Sequence, residues 1–105
     1  MKNSKKRIKR TKENIIYHEL IGLPVRVINS THKGYLISGL VIDETKNMII
    51  IESDIIKKIP KNVSTFEFLL SEGETVEVEG KKIIGRPEDR IKNIYKLKKI
   101  RKPFK

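Results

Sequence analysis

None of the 105 residues is a cysteine, and alanine, glutamine and tryptophan are missing as well. Without a thiol there is no disulfide framework, no thiolate metal site and no cysteine nucleophile, and residence in the reducing cytoplasm is the simpler expectation. Histidine is scarce: His18 and His32 stand too far apart in sequence to suggest a metal site without further ligands. The glycines Gly34, Gly39, Gly73, Gly80 and Gly85 are scattered at turns, with none of the clustering that cradles a phosphate. No bound cofactor is expected. No apolar run approaches the roughly 18 residues of a membrane span. The basic N-terminus passes into Glu13-Asn14 and then His18-Glu19, where a signal peptide would carry its apolar core. Neither export by that route nor a membrane partner is expected. The paired acids Asp43-Glu44, Glu52 with Asp54, and Glu88-Asp89 lack a histidine or serine at catalytic spacing and suit turns or the first turn of a helix. No catalytic residue is assigned.

Apolar types make up 37% of the chain, enough for one small core in one domain but below the usual share of about 45–50%. Twenty-four bases face thirteen acids, for a net charge of +11. Residues 1–12 hold seven of the bases and residues 90–105 hold eight, with no acid in either stretch. The body between them holds the other nine bases and all thirteen acids, so it carries −4 and the ends carry +15. Segregation of this kind favours contact with a polyanion over a diffuse solubility charge. A polybasic membrane patch lacks an accompanying lipid site or apolar face. With only three Tyr and three Phe there is little for bases to stack on, so recognition of backbone and shape is expected to dominate.

The sequence pattern divides the chain into three parts. Residues 1–12 have one aliphatic side chain, Ile8, beyond the initial Met and read as a basic flexible arm. From Glu13 to Ile21, Ile15, Ile16, Leu20 and Ile21 recur at near-helical spacing before Gly22 and Pro24, which predicts a short helix of about two turns. So short a helix must pack its apolar stripe on its own body or on a partner. Short β-branched runs follow, separated by two- to five-residue turns: 23–29, 35–42, 48–52, 55–59, 64–70, 75–79 and 82–84. Gly39 inside the second run suggests a bulge or a sharp bend. Six or seven such strands predict a small, strongly bent antiparallel barrel of about six strands, mainly β, over residues 13–86 together with the helix. Pro87, Glu88 and Asp89 then open a basic C-terminal helix and tail, residues 87–105, with Ile91, Ile94, Leu97 and Ile100 along a narrow apolar stripe.

Several segments in order resemble a known family. They are His18-Glu19-Leu20-Ile21-Gly22-Leu23, the turn at Ser30, Gly34 and Gly39, Val41-Ile42-Asp43-Glu44-Thr45-Lys46-Asn47-Met48, Pro60-Lys61, Phe66-Glu67-Phe68 and Gly85-Arg86-Pro87-Glu88-Asp89-Arg90. Together, from about Glu13 to Arg90, they resemble protein component 1 of archaeal ribonuclease P. The resemblance implies an Sm-like barrel with flanking helices. It implies a non-catalytic subunit of a ribonucleoprotein whose RNA, using Mg²⁺, removes the 5′ leader from precursor tRNA. It also implies a zinc-ribbon protein partner in the same holoenzyme, to which part of the first helix, through Ile15, Ile16 and Leu20, and an adjacent strand edge are assigned. Lys46, Lys61, Arg86 and Arg90 are carried over by position as bases that meet RNA or hold the loops that do. Arg86 has a second reading, as a partner for Glu88 or Asp89 or a brace for the helix start. The loop residues His32 and Lys33 join the candidates. Phosphate contact is expected of the arm bases Lys5, Lys6, Arg7, Lys9, Arg10 and Lys12, and of Lys96, Lys98, Lys99, Arg101 and Lys102. A ribosomal or general RNA-binding small-barrel protein is the alternative.

Overall fold

The computed structural model describes residues 10–92. The expected arm up to residue 9 and the expected helix and tail from residue 93 onward lie outside the described residues. So do Lys5, Lys6, Arg7, Lys9, Lys96, Lys98, Lys99, Arg101 and Lys102.

Six antiparallel strands form one sheet: β1 (Pro24–Ser30), β2 (Ser38–Glu44), β3 (Met48–Glu52), β4 (Ile56–Pro60), β5 (Ser64–Leu69) and β6 (Thr75–Glu79). Their order across the sheet is β4-β3-β2-β1-β5-β6. Strand β4 lies at one edge and β5 lies four places away, yet a single 3-10 turn, Lys61–Val63, joins them. Four strand spacings in a flat sheet come to about 19 Å. The four Cα steps from Pro60 to Ser64 reach at most about 14 Å. The sheet must therefore curl, and its curled inner face holds Val25, Val27, Val41, Ile49, Ile51, Ile59, Phe66, Phe68 and Val78 in one core. The Phe66 and Phe68 rings stack at its centre, 5.9 Å apart.

The expected closed barrel is corrected in one respect: β4 and β6 do not pair, so the sheet stays open. Its two ends instead meet through turns. A Cβ on Gly80, which opens the 3-10 turn Gly80–Ile83, would lie 1.8 Å from the Lys61 carbonyl oxygen, so only glycine permits the approach. The expected strand at 82–84 is absorbed into that turn.

Two further expectations change. The helix expected over Glu13–Ile21 is a single 3-10 turn, Ile15–Tyr17, after which His18 is extended. Side chains bond the carbonyls of the segment instead: Ile16 and His18 accept from Arg90, and Glu19 and Ile21 accept from Arg10. Ile15 and Leu20 are fully buried in the chain's own core, with Ile16 packed against it. Ile15 and Leu20 are therefore not free to bind a partner, which corrects their assignment. The second expected strand starts late, because residues 33–35 form a 3-10 turn whose Gly34 N–H donates to His32 Nδ1.

The bulge in β2 lies at Ile42, where Val41 faces Ile51 but Asp43 faces Ile50, and not at Gly39. Gly39 answers a close approach instead: a Cβ there would sit 2.2 Å from the Glu52 carbonyl oxygen. The extra residue at Ile42 reverses the in-and-out alternation of the strand. Val41 and Glu44 consequently both point inward, while Asp43 faces solvent.

Candidate functional site

Because the bulge turns Glu44 inward, a carboxylate enters the interior at the end of β2 with its side chain fully buried. Isolated burial of that charge would be costly, and two cations answer it. Lys61, also fully buried, donates to Glu44 Oε2 at 2.7 Å, and Arg90 Nη2 donates to the same oxygen. The two cations also serve the backbone. Lys61 Nζ donates to the carbonyls of Thr45 (2.8 Å), Gly85 (3.0 Å) and Lys46 (3.2 Å). Arg90 Nη1 donates to the carbonyls of Ile16 (2.8 Å) and His18 (2.9 Å). Burial pushes the Lys61 ammonium below its usual range; the hydrogen bond and charge of Glu44 oppose this, and the nearby Arg90 charge adds to it.

Five backbone carbonyls thus depend on one ion triad, and they come from the N-terminal segment, the β2–β3 turn and the loop at Gly85. Gly85 has φ +125°, a conformation glycine accepts far more readily than other residues, and its N–H donates to the Lys46 carbonyl at 2.8 Å. Helical residues 87–92 begin two positions later, with Asp89 and Arg90 N–H groups donating to the Arg86 carbonyl. Segments far apart in sequence, Asp43 to Asn47, Pro60-Lys61 and Gly85 to Arg90, therefore meet at one buried centre.

That placement sorts the candidate bases. Lys61 and Arg90 are withdrawn from the surface, which corrects the expectation that they touch RNA; each instead donates to backbone carbonyls of neighbouring segments. Lys46 and Arg86 are exposed and flank the hydrogen bond between Gly85 and Lys46. His32 and Lys33 are exposed at the 3-10 turn that precedes β2, whereas Lys46 follows the far end of that strand. The structure does not bring these two pairs together. Arg10 is half-buried against the Glu19 and Ile21 carbonyls, and exposed Lys12 lies 3.9 Å from Glu74. Over residues 10–92 thirteen bases balance thirteen acids, so the entire +11 lies in the runs before and after them. Among the described residues no group of three or more His, Asp or Glu side chains is placed to hold a metal ion.

Sequence reasoning missed Glu44 as the hub of this centre. Its only signal was membership of an acid pair at a strand end, and strict alternation would have pointed Asp43 inward instead.

The family described as Ribonuclease P/MRP, subunit p29 matches residues 13–93. A protein of Pyrococcus abyssi named ribonuclease P protein component 1 is 49% identical over 87 residues, covering 82% of this chain and 68% of that protein. The protein of that name from Methanothermobacter thermautotrophicus is 47% identical over 96 residues, covering 89% of this chain and 98% of that protein. A solved structure, Mth11, described as a homologue of the human RNase P protein Rpp29, superposes with a TM-score of 0.53 at 45% identity, covering 70% of this chain and 99% of that one. The three segments that meet at the Glu44 centre all lie within the matched residues, and this chain belongs to the ribonuclease P/MRP subunit p29 family of ribonuclease P proteins.

Proposed function

We propose that the chain is an RNA-binding, non-catalytic subunit that braces the RNA of ribonuclease P during removal of the 5′ leader from precursor tRNA. The observation that carries this reading is the charge partition: a neutral body over residues 10–92 with eleven cations and no acid in the flanking runs. Phosphate neutralisation by those runs releases counterions, and exposed Lys46 and Arg86 add two fixed cations beside the body's buried centre. The bound RNA supplies the Mg²⁺-dependent chemistry, the precursor tRNA is met only indirectly, and the protein works in the cytoplasm. The curled sheet functions as an Sm-like barrel, although its edges do not pair. A zinc-ribbon subunit completes the protein side of the complex. With Ile15 and Leu20 consumed by the core, that partner uses exposed surface elsewhere. Leu40 and Leu69, beside Pro24 on the outer face of β2, β1 and β5, suit such a contact, because exposed apolar side chains in one cross-strand row favour burial.

Filter binding of the full chain to transcribed ribonuclease P RNA across a salt series tests the reading. Affinity is expected to fall roughly 10³–10⁵-fold between 50 and 200 mM salt if 6–10 phosphates are engaged. Binding that ignores salt, or recovery of ribosomal RNA alone from a native extract, would refute it.

A further inference from the structure

Between the turns Lys61–Val63 and Gly80–Ile83 lies a cavity of about 330 Å³ that the buried centre does not use. Five polar side chains line it: Thr31 just after β1, Asn62 in the first turn, Thr65 on β5, Glu79 at the end of β6 and Lys81 in the second turn. Thr65 and Glu79 are cross-strand partners, which sets their Cβ atoms about 4.5–5.5 Å apart. Ser64, also in the lining, shares a hydrogen bond with Ser30 at 2.9 Å. Among the described residues no hydrogen bond or ion pair engages the other five side chains, and Glu79 and Lys81 do not pair with each other.

The walls are fixed from beneath. Gly80 packs so closely on the Lys61 carbonyl that no Cβ fits between them, and Lys61 is in turn held by Glu44 and three carbonyls. A cavity already shaped in the free protein loses little conformational freedom when a ligand enters.

We propose that this cavity takes one unpaired nucleotide of the bound RNA, with a guanine base inside it and a phosphate on Lys81. The proposal rests on the RNA-binding reading above and deepens it, adding one point of base recognition to contacts that otherwise read only the backbone. The charges of Glu79 and Lys81 cancel, so the cavity has no net attraction for a polyanion and selects its ligand through hydrogen bonds. A carboxylate only accepts. Guanine is the base that turns two adjacent donors, N1–H and N2–H, outward on its Watson–Crick edge. Adenine, cytosine and uracil each place an acceptor beside their donor, where it would face the carboxylate oxygens. The Thr31 and Thr65 hydroxyls and the Asn62 amide both donate and accept, which suits the remaining base atoms and the ribose 2′-OH. With Val63 as the apolar wall and no ring in the lining to stack on, edge hydrogen bonds carry the discrimination. A base must stand outside a helix to enter, so the nucleotide belongs to a loop, a bulge or an end of the RNA.

The test measures binding of the full chain to three single-stranded RNA pentamers at fixed salt: UUGUU, UUAUU and UUIUU, whose inosine keeps N1–H but lacks the amino group. Their phosphates are the same, so differences in affinity report the central base. UUGUU is expected to bind about 5- to 150-fold more tightly than UUAUU, the range of one bidentate base contact, with UUIUU between them. Glu79→Gln, at an exposed position, should erase most of that preference without weakening UUAUU. Lys81→Gln should weaken all three pentamers alike and lower the salt slope by about 0.7. Backbone amide shifts on adding UUGUU should centre on Thr31, residues 62–65 and residues 79–81.

Equal affinity for UUGUU and UUAUU, a preference that survives Glu79→Gln, a slope unchanged by Lys81→Gln, or amide shifts that avoid the cavity would each overturn the proposal. Any of these would leave the broader reading standing if transcribed ribonuclease P RNA still binds with the expected salt dependence. Failure of the unaltered chain to bind that RNA would instead refute the RNA-binding reading itself.

Discussion

Replacing Glu44 by glutamine keeps the shape of the side chain and removes the one negative charge in the buried triad. Lys61 and Arg90 would then face each other across a neutral amide. Since both nitrogens reach the same oxygen they stand within about 5 Å of each other, where like charges repel by roughly 3 kcal/mol at an effective dielectric constant of 20. Neither cation can retreat to water without abandoning carbonyls that have no substitute: Thr45, Lys46 and Gly85 for Lys61, and Ile16 and His18 for Arg90. Uncompensating a buried ion pair in this way costs about 3–5 kcal/mol. In a domain of this size 1 kcal/mol moves the melting midpoint by about 4–8 °C, so Glu44→Gln should lower it by about 15–30 °C. A thermal scan at neutral pH reads this directly, with Asp43→Asn, the exposed neighbour, as the control that should move the midpoint little. A Glu44→Gln midpoint within about 4 °C of the unaltered chain would correspond to less than about 1 kcal/mol and would refute the claim that the triad holds the turns together.

Other expectations follow from the same packing. Burial holds the Lys61 ammonium below 10.5, so between its folded value and 10.5 the unfolded chain binds a proton that the native chain has lost. Stability should then rise with pH across that window and level off above it. Urea midpoints of the unaltered chain relative to Lys61→Met, taken from neutral pH to above 10.5, should show this rise; a relative fall would contradict the assigned direction. Gly39→Ala places a methyl group 2.2 Å from the Glu52 carbonyl oxygen and Gly80→Ala one 1.8 Å from that of Lys61. Each should cost about 1–3 kcal/mol or more in denaturant unfolding, and stability unchanged within error would show that the backbone can yield there. Arg26, bonded to Glu67 at 2.6 Å on the exposed sheet face, is the opposite case. Arg26→Ala should shift stability by less than about 1 kcal/mol, since water already screens that pair, and a larger loss would mean the pair is structural.

Most strands were legible in the sequence because β-branched runs and turn residues impose a period of two that tertiary contacts need only reinforce. Thr75 to Glu79 and Ser64 to Leu69 appear within a residue of where their alternation puts them. The segment Glu13–Ile21 was misread because its spacing fits a helix. In the structure two arginines, one of them 72 to 74 residues away, bond four of its carbonyls, among them that of Ile16, which a helix would have used. Lys61 was read as a base that meets RNA or holds the loops that do, and nothing local decides between a solvated lysine and one that will find a carboxylate and three carbonyls inside.

The sequence by itself determined the antiparallel β class, the single small core, the basic ends and, through the order of its motifs, the family. Composition and period are local properties, and charge segregation is simply additive along the chain. Only the tertiary structure decided which charges are free. A one-residue bulge at Ile42 turns Glu44 inward, Glu44 draws Lys61 and Arg90 after it, and two of the body's apparent surface bases become the fastening for its turns. The absence of cysteine has a structural counterpart in that fastening. With no disulfide to staple so small a body, the buried triad ties the N-terminal segment, the β2–β3 turn and the start of the C-terminal helix together. It can do so because one carboxylate oxygen, withdrawn from water, accepts from two cations whose remaining donors reach all three.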